Sequence, residues 1–155
     1  MSYAISFSNG DHITVPDGDL SRCEKKLSHG TFEAINFIQC LDDLYHRDNS
    51  IFYIDEQMAH MHSELEAYFI RKAILMKPQN TQLFFTTHNL TIFDLNIPHN
   101  DFLFFNRTDD GYTDTVYPTD VLNKNDRNLK GYYENDRFGG LPDYTVMDDF
   151  FGSVK

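Results

Sequence analysis

The pattern of apolar and polar residues divides the first part of the chain into a hairpin and a helix. Apolar residues alternate with small or polar ones over 3–7 and again over 13–15, and Asn9-Gly10 between them has the composition of a tight turn. Residues 31–45 instead place apolar side chains at intervals of three and four, which gives one wide apolar face at a helical period. We therefore expect a β-hairpin followed by an amphipathic helix.

The central part of the pattern predicts a βαβ unit. Mainly apolar runs at 51–54 and 82–85 flank a second helical segment at 63–76. Ser63 and Glu66 have the spacing of a capping box, which marks a helix start. A helix between two strands connects them in parallel, and apolar runs without alternation are typical of strands that are buried on both faces. The sequence therefore predicts two parallel strands, each covered on both sides.

The remaining residues contribute a second hairpin and a polar, aromatic tail. Residues 102–105 and 112–117 are rich in aromatic and β-branched residues and are joined by an Asp110-Gly111 turn. There is no internal repeat and no low-complexity tract. We predict an α/β fold, in which parallel strands with a crossover helix are flanked by β-hairpins, and a single domain over 1–155.

The composition fits a globular domain and excludes some partners. Apolar residues make up 41% of the 155 residues, and 24 acidic against 13 basic side chains give a net charge of −11. Such a chain cannot offer the broad cationic surface that a DNA or RNA backbone requires, although a single nucleotide needs only a local site. The sequence contains neither a signal-peptide pattern nor an apolar run of the roughly 20 residues that span a bilayer. We expect a cytoplasmic protein that does not bind membranes.

Acidic residues and a histidine follow the two predicted parallel strands. Asp55 and Glu56 come after the first strand, and Thr86-Thr87-His88 comes at the end of the second. Ligands bind at the carboxyl edge of parallel strands, so these side chains are candidates for a site. Hydrolysis of a phosphoanhydride requires Mg²⁺ near the β- and γ-phosphates and a water in line with the γ-phosphorus. An apolar strand that ends in Asp-Glu resembles the Walker B motif, which assigns Asp55 to Mg²⁺ and Glu56 to the attacking water.

A second motif lies before the first predicted helix. Leu27-Ser28-His29-Gly30-Thr31 resembles the LSGGQ signature of ABC-type ATPases, in the LSxGT form of their AAA-like branch. Ser28 is a natural N-cap, Gly30 allows close approach of the backbone, and the amides of a first helical turn bind anions. In that family the signature, here Ser28, His29, Gly30 and Thr31, contacts the γ-phosphate of ATP that is bound to the opposite subunit.

The signature, the Walker B pair and a Thr-Thr-His switch follow one another in the order of that family. His88 matches the switch histidine that contacts the γ-phosphate, and His62 follows the two acids at the family's spacing. Residues 101–105 resemble the family's RxDQIWF strand, and residues 137–142 resemble its GRFGxxP ending. Over roughly 27–142, the chain is therefore similar to the C-terminal part of an ABC-type ATPase head domain of the AAA-like branch, which includes RecF-, SMC- and OLD-like proteins.

This resemblance implies a P-loop NTPase fold of the ABC type, of which the chain would be a part. It implies that ATP and Mg²⁺ bind to the complete head, with catalysis by Glu56 and His88 and metal binding by Asp55. It also implies that ATP-driven closure of a homodimer controls an effector protein. Similar proteins act in bacterial anti-phage and abortive-infection systems.

Several parts of the family's site are missing from the chain. It contains no GxxxxGK[ST] loop, which is the Walker A motif, and no glutamine can be assigned to a Q-loop. Met58 stands at the position of the acidic D-loop residue, and His29 replaces the second residue of the signature. We therefore expect the chain to need an N-terminal half that carries Walker A, and to be inactive in ATP hydrolysis by itself.

Two other functions are open at the level of sequence. The first is a non-catalytic dimerisation or regulatory module, which predicts no turnover in any pairing. The second is a small metal-dependent hydrolase that uses Asp55, Glu56 and His62, because histidines with nearby carboxylates bind Zn²⁺ or Mn²⁺. This hydrolase would bind a metal ion without a nucleotide.

Overall fold

The chain folds into a mixed α/β structure with two compact units. The computed structural model describes residues 2–108, 110–122, 128–141 and 144–152, except for the side chain of Val146. The units are Met1–Leu95 and Asn96–Lys155. The described part contains three two-stranded sheets, one parallel and two antiparallel, so the α/β prediction is confirmed at this level. The single domain over 1–155 stays a prediction, and Pro142 of the predicted C-terminal motif lies outside the described residues.

The first unit contains the predicted signature, Walker B pair and Thr-Thr-His switch, and follows the predicted order of elements. Its helices and strands are β1 (Tyr3–Ser6), β2 (His12–Val15), α1 (His29–His46), β3 (Ile51–Asp55), α2 (Ser63–Met76) and β4 (Gln82–Thr86). Short 3₁₀ helices occur at Pro16–Gly18, Leu20–Lys26 and Leu90–Asp94. β1 and β2 pair as an antiparallel hairpin, and β3 and β4 pair in parallel across the crossover helix α2, so both predictions of strand pairing are confirmed.

Two groups of buried side chains hold this unit together. Val15, Leu20 and Cys23 form a cluster beneath the hairpin. Partly buried apolar residues pack against that cluster: Ile5, Ile13, Leu27, Phe32 and Ile35. The rings of Phe37 on α1 and Phe69 on α2 lie 5.3 Å apart between their centroids, so the apolar faces of the two helices meet there. The hairpin and both helices therefore give the elements of the candidate site a fixed support.

The start of α2 differs from the predicted capping box. Ser63 is already the first helical residue, and the N-cap is His62, whose side chain accepts a hydrogen bond from the backbone N–H of Glu64 at 3.4 Å. Glu66 does not reach back to the cap, because its buried carboxylate bonds to the loop after β4. The prediction of a Ser63–Glu66 capping box is wrong, since the spacing alone does not show which residue precedes the helix.

One face of the β3–β4 sheet is exposed, which contradicts the prediction that these strands are buried on both sides. Ile51, Tyr53 and Phe84 are 71%, 67% and 51% exposed, whereas Ile54, which points to the other face, is 4% exposed. Side chains alternate between the faces of a strand, so the large apolar residues at alternate positions form one surface. We call Ile51, Tyr53 and Phe84 the open sheet face. Parallel sheets are almost always covered on both faces, which makes this exposure unusual.

The second unit is built around an aromatic cluster. Its helices and strands are β5 (Phe104–Arg107), β6 (Thr113–Val116), α3 (Pro118–Val121), α4 (Leu129–Glu134) and α5 (Thr145–Gly152), with a 3₁₀ helix at His99–Asp101. β5 and β6 form the predicted second hairpin. The rings of Phe104 and Phe138 stack with centroids 4.4 Å apart, and Asn106 donates a hydrogen bond to the carbonyl oxygen of Phe138. The two C-terminal segments that carry the family resemblance therefore pack against each other.

No helix in the described ranges combines the length and the apolar character that crossing a membrane requires.

Candidate functional site

The parallel pairing of β3 and β4 brings the predicted catalytic segments together. Asp55 and Thr86 are partners in the register, so both lie at the carboxyl edge of the sheet. The hydroxyl of Thr86 donates to Oδ1 of Asp55 at 2.6 Å and accepts from the backbone N–H of Glu56 at 3.1 Å. Thr86 thereby fixes both acids of the predicted Walker B pair.

The backbone turns sharply between the two acids. Glu56 has a φ of 47°, in the left-handed region that non-glycine residues adopt at a cost of about 1–2 kcal/mol. As a result, the two carboxylates have different partners. Oε1 of Glu56 lies 2.9 Å from Nε2 of His88, while Asp55 bonds to Thr86. The predicted base and the predicted switch histidine are therefore in direct contact.

This cluster is open to solvent and suits a hydrated cation better than a closed metal site. The side chains of His88 and Glu56 are 87% and 52% exposed. No group of three His, Cys, Asp or Glu side chains among the described residues is arranged to hold a metal ion. One carboxylate, Asp55, with an adjacent hydroxyl fits the way in which Mg²⁺ is bound at nucleotide sites, because Mg²⁺ keeps several waters and takes further ligands from phosphate oxygens.

The predicted signature forms the N-terminus of the 18-residue helix α1. Ser28 is the N-cap, as predicted, and its hydroxyl oxygen accepts from the backbone N–H of Thr31 at 3.2 Å. The hydroxyls of Ser28 and Thr31 are also 2.7 Å apart. The amide of Thr31, which is one of the first-turn amides predicted to bind an anion, is therefore occupied by the cap. An anion at this helix end would meet the Ser28 hydroxyl and the positive end of the helix dipole.

The segment that follows the Walker B pair packs on this helix start. The ring of His60 lies 5.2 Å from that of His29 between centroids, and the backbone N–H of His60 donates to Oε2 of Glu33 at 3.0 Å. Nδ1 of His60 also lies in hydrogen-bond contact with Oε1 of Glu33. Met58 in the same segment is 2% exposed and anchors it in the core. The start of α1 and the segment after the predicted Walker B pair are thus fastened to each other within one unit.

Gly30 is required at this contact for a steric reason. A β-carbon at position 30 would lie 2.7 Å from the carbonyl oxygen of His60, a separation that real side chains do not tolerate. The glycine thus allows the backbone of one segment to lie against the other. The sequence suggested a different role, in which Gly30 lets the backbone approach a phosphate closely. One glycine is able to serve both roles.

We expect Gly30→Ala to destabilise the chain by about 1–3 kcal/mol, because the added methyl group must displace the backbone at His60. The free energy of unfolding in urea measures the effect. Gly152→Ala is the matched control, since a β-carbon there meets no atom within 4 Å, and it should change stability by less than about 0.5 kcal/mol. Equal stabilities of the two variants would show that the close approach at Gly30 has no energetic consequence.

The predicted site residues fall into two clusters. Asp55, Glu56 and His88 form one at the sheet edge, and the signature residues 28–31 form the other at the start of α1. The side chain of His62 caps α2. Within the described ranges, no group of His, Cys, Asp or Glu side chains supports the metal site of the metal-dependent hydrolase hypothesis.

Comparison with protein-family models, with curated proteins and with solved structures finds no match.

Sequence reasoning missed Thr86, Glu33 and Glu66 as parts of this site. The Thr-Thr-His motif contains Thr86, but it does not show that the hydroxyl of Thr86 joins both acids. The parallel pairing of the two strands places Thr86 opposite Asp55, so the position of Thr86 could be predicted from the strands. Glu33 belongs to no motif and Glu66 only to the predicted capping box, so only the packing of α1 and α2 places them in this site.

Proposed function

We propose that this chain is the C-terminal part of an ABC-type ATP-hydrolysing head domain. The observation that carries the proposal is the contact between Glu56 and His88, at 2.9 Å, beside the Asp55–Thr86 hydrogen bond. A metal-binding acid, a base and a γ-phosphate sensor are the three groups that this segment of such a head must supply. All three candidates come from adjacent ends of two parallel strands, where nucleotides bind in α/β folds.

The residues have separate roles in the proposed reaction. Asp55, held by Thr86, would bind Mg²⁺, which neutralises phosphate charge when it is bound. Glu56 would accept a proton from the attacking water. His88 would donate a hydrogen bond to the γ-phosphate when ATP is bound, and to Glu56, whose Oε1 lies 2.9 Å from its Nε2, when ATP is absent. Loss of the γ-phosphate would free His88, which is the change that a switch residue reports.

The proposed partner is an N-terminal half that carries the Walker A motif. The chain has no GxxxxGK[ST] loop, so phosphate binding in cis must come from another segment. The open sheet face gives that segment a surface to cover, since parallel strands are normally sandwiched between layers. In the complete head, the signature at the start of α1 would act on ATP of a second copy. Dimer closure would then control an effector protein, as in similar anti-phage systems.

ATP-driven closure has a direct test in a reconstituted head, which we define as this chain mixed with a Walker A-containing N-terminal fragment. Glu56→Gln should trap ATP, because binding is kept and hydrolysis is blocked. We expect the mass measured by light scattering to double with Mg-ATP but not with Mg-ADP. Ser28→Arg should prevent doubling, since it places a bulky side chain at the signature. A mass that is independent of nucleotide, in a head that binds ATP, would refute closure.

The second candidate function is a non-catalytic interaction module. It is favoured by the open sheet face together with Met58, which is buried where the family has an acidic D-loop residue. This candidate predicts association with the N-terminal fragment without any turnover.

A further inference from the structure

A buried carboxylate beneath the loop that carries His88 has no role in the function proposed above. Glu66 lies in the first turn of α2 and is 7% exposed. Its Oε1 accepts a hydrogen bond from the hydroxyl of Thr87, and its Oε2 accepts from Nδ2 of Asn89 at 2.9 Å. The two oxygens of one side chain thus hold the residues on either side of His88.

Further hydrogen bonds complete this network. The hydroxyl of Thr87 accepts from the backbone N–H of Asn89 at 2.9 Å, so it is both donor and acceptor. Nδ2 of Asn89 donates its second hydrogen to the carbonyl oxygen of Ser63 at 2.7 Å. Oδ1 of Asn89 accepts from the backbone N–H of Thr91 at 2.9 Å and so caps the next 3₁₀ helix. The loop is therefore fastened to the start of α2 at several points.

The burial of Glu66 restricts movement of the loop that carries His88. A buried carboxylate is tolerated only when its oxygens accept hydrogen bonds, so a loop that moved away would leave Glu66 without partners. The backbone at Thr87 and Asn89 is thus held on both sides of His88, whose ring is exposed and reaches Glu56.

We infer that Glu66 is a positioning residue for His88. Through Thr87 and Asn89 it holds the loop so that the imidazole stays within hydrogen-bond reach of Glu56 and of an incoming γ-phosphate. The part of this inference that concerns the γ-phosphate rests on the proposed function, whereas the part that concerns the His88–Glu56 contact does not. α2 thereby links the Walker B strand to the switch loop, because it is the crossover between β3 and β4.

The test uses a matched pair at Thr87. Thr87→Ser keeps the hydroxyl that bonds to Glu66 and Asn89, and Thr87→Val removes it with little change in volume. The ¹⁵N chemical shifts of the His88 ring report its contact with Glu56, and Glu56→Ala gives their values when that contact is lost. We expect Thr87→Val to move the His88 shifts toward those of Glu56→Ala and to speed amide exchange at Asn89 about tenfold. Thr87→Ser should match the unsubstituted chain in both readouts.

Kinetics in the reconstituted head provide the second arm. We expect Thr87→Val to lower kcat for Mg-ATP by about tenfold or more with little change in KM, since a misplaced catalytic group affects the transition state more than substrate binding. Thr87→Ser should restore kcat. Identical His88 ring shifts in the Val and Ser variants would overturn the inference whatever the activity. If the unsubstituted head has no turnover, the proposed function fails, and the ring shifts alone decide whether Glu66 positions His88.

Discussion

Glu56→Gln is expected to lower kcat for Mg-ATP in the reconstituted head by about 10²–10⁴-fold, the usual contribution of a general base. The amide of glutamine occupies nearly the same volume as the carboxylate and is still able to contact His88, but it cannot accept a proton from water. The backbone turn at Glu56 and its N–H bond to the Thr86 hydroxyl involve no side-chain atom of Glu56, so the site should keep its shape. Steady-state phosphate release measures the effect.

The control for this variant is ATP binding, which should be unchanged. Glu134→Gln is a useful second control, because it makes the same exchange of a carboxylate for an amide at an exposed residue of the second unit, on α4. If Glu56→Gln retains more than about a tenth of the original kcat, Glu56 is not the base, since loss of a general base lowers rates much further.

Tyr53→Asp is expected to weaken association of this chain with the N-terminal fragment by at least about 100-fold, which corresponds to about 2.7 kcal/mol. Tyr53 lies at the centre of the open sheet face and is 67% exposed. If the fragment covers this face, an aspartate there would be buried without a partner, which is strongly unfavourable. Titration calorimetry with the two purified pieces measures the dissociation constant.

Tyr68→Asp on α2 is the matched control for this experiment. Tyr68 is 53% exposed, so the same substitution is made at a similarly exposed aromatic residue outside the open sheet face. It should leave the dissociation constant unchanged within about threefold, a difference of under 1 kcal/mol. Both variants should unfold in urea within about 1 kcal/mol of the unsubstituted chain, because the replaced residues are exposed. Equal loss of binding in both variants would show that the fragment does not cover this face.

Local elements of the fold could be predicted because each has its own signal in the sequence. The hairpin around Asn9-Gly10 and the helix over 31–45 follow from periodicity, and the structure places them at β1–β2 and at His29–His46. The parallel pairing of β3 with β4 follows from the helix between them. These signals act over a few residues and do not depend on the rest of the chain.

The predictions that failed depend on tertiary context. The spacing of Ser63 and Glu66 predicts a capping box at the start of α2. The carboxylate of Glu66 is instead buried beneath the loop that carries His88 and forms hydrogen bonds there. The apolar content of the two strands predicts that both faces of the sheet are buried. Apolar content shows that a strand is suited to burial, but it does not show which segment covers each face. The exposure of Tyr53 and Phe84 is therefore a property of this chain that only the structure reveals.

The candidate site could be predicted in part for the same reason. The ends of the two predicted strands identify the candidates Asp55, Glu56 and His88. The parallel pairing of these strands implies that the three side chains lie at the same edge of the sheet. The groups that hold the surrounding segments could not be predicted, because Thr86, Glu33 and Glu66 act through hydrogen bonds between segments that are distant in sequence. No motif records such contacts.

The most direct test of the central claim is Mg-ATP turnover by this chain, by the Walker A-containing N-terminal fragment, and by their mixture. We predict phosphate release only in the mixture, and its loss in the mixture that contains Glu56→Gln. A mixture whose two pieces bind each other yet release no phosphate would contradict the claim and would leave an interaction module.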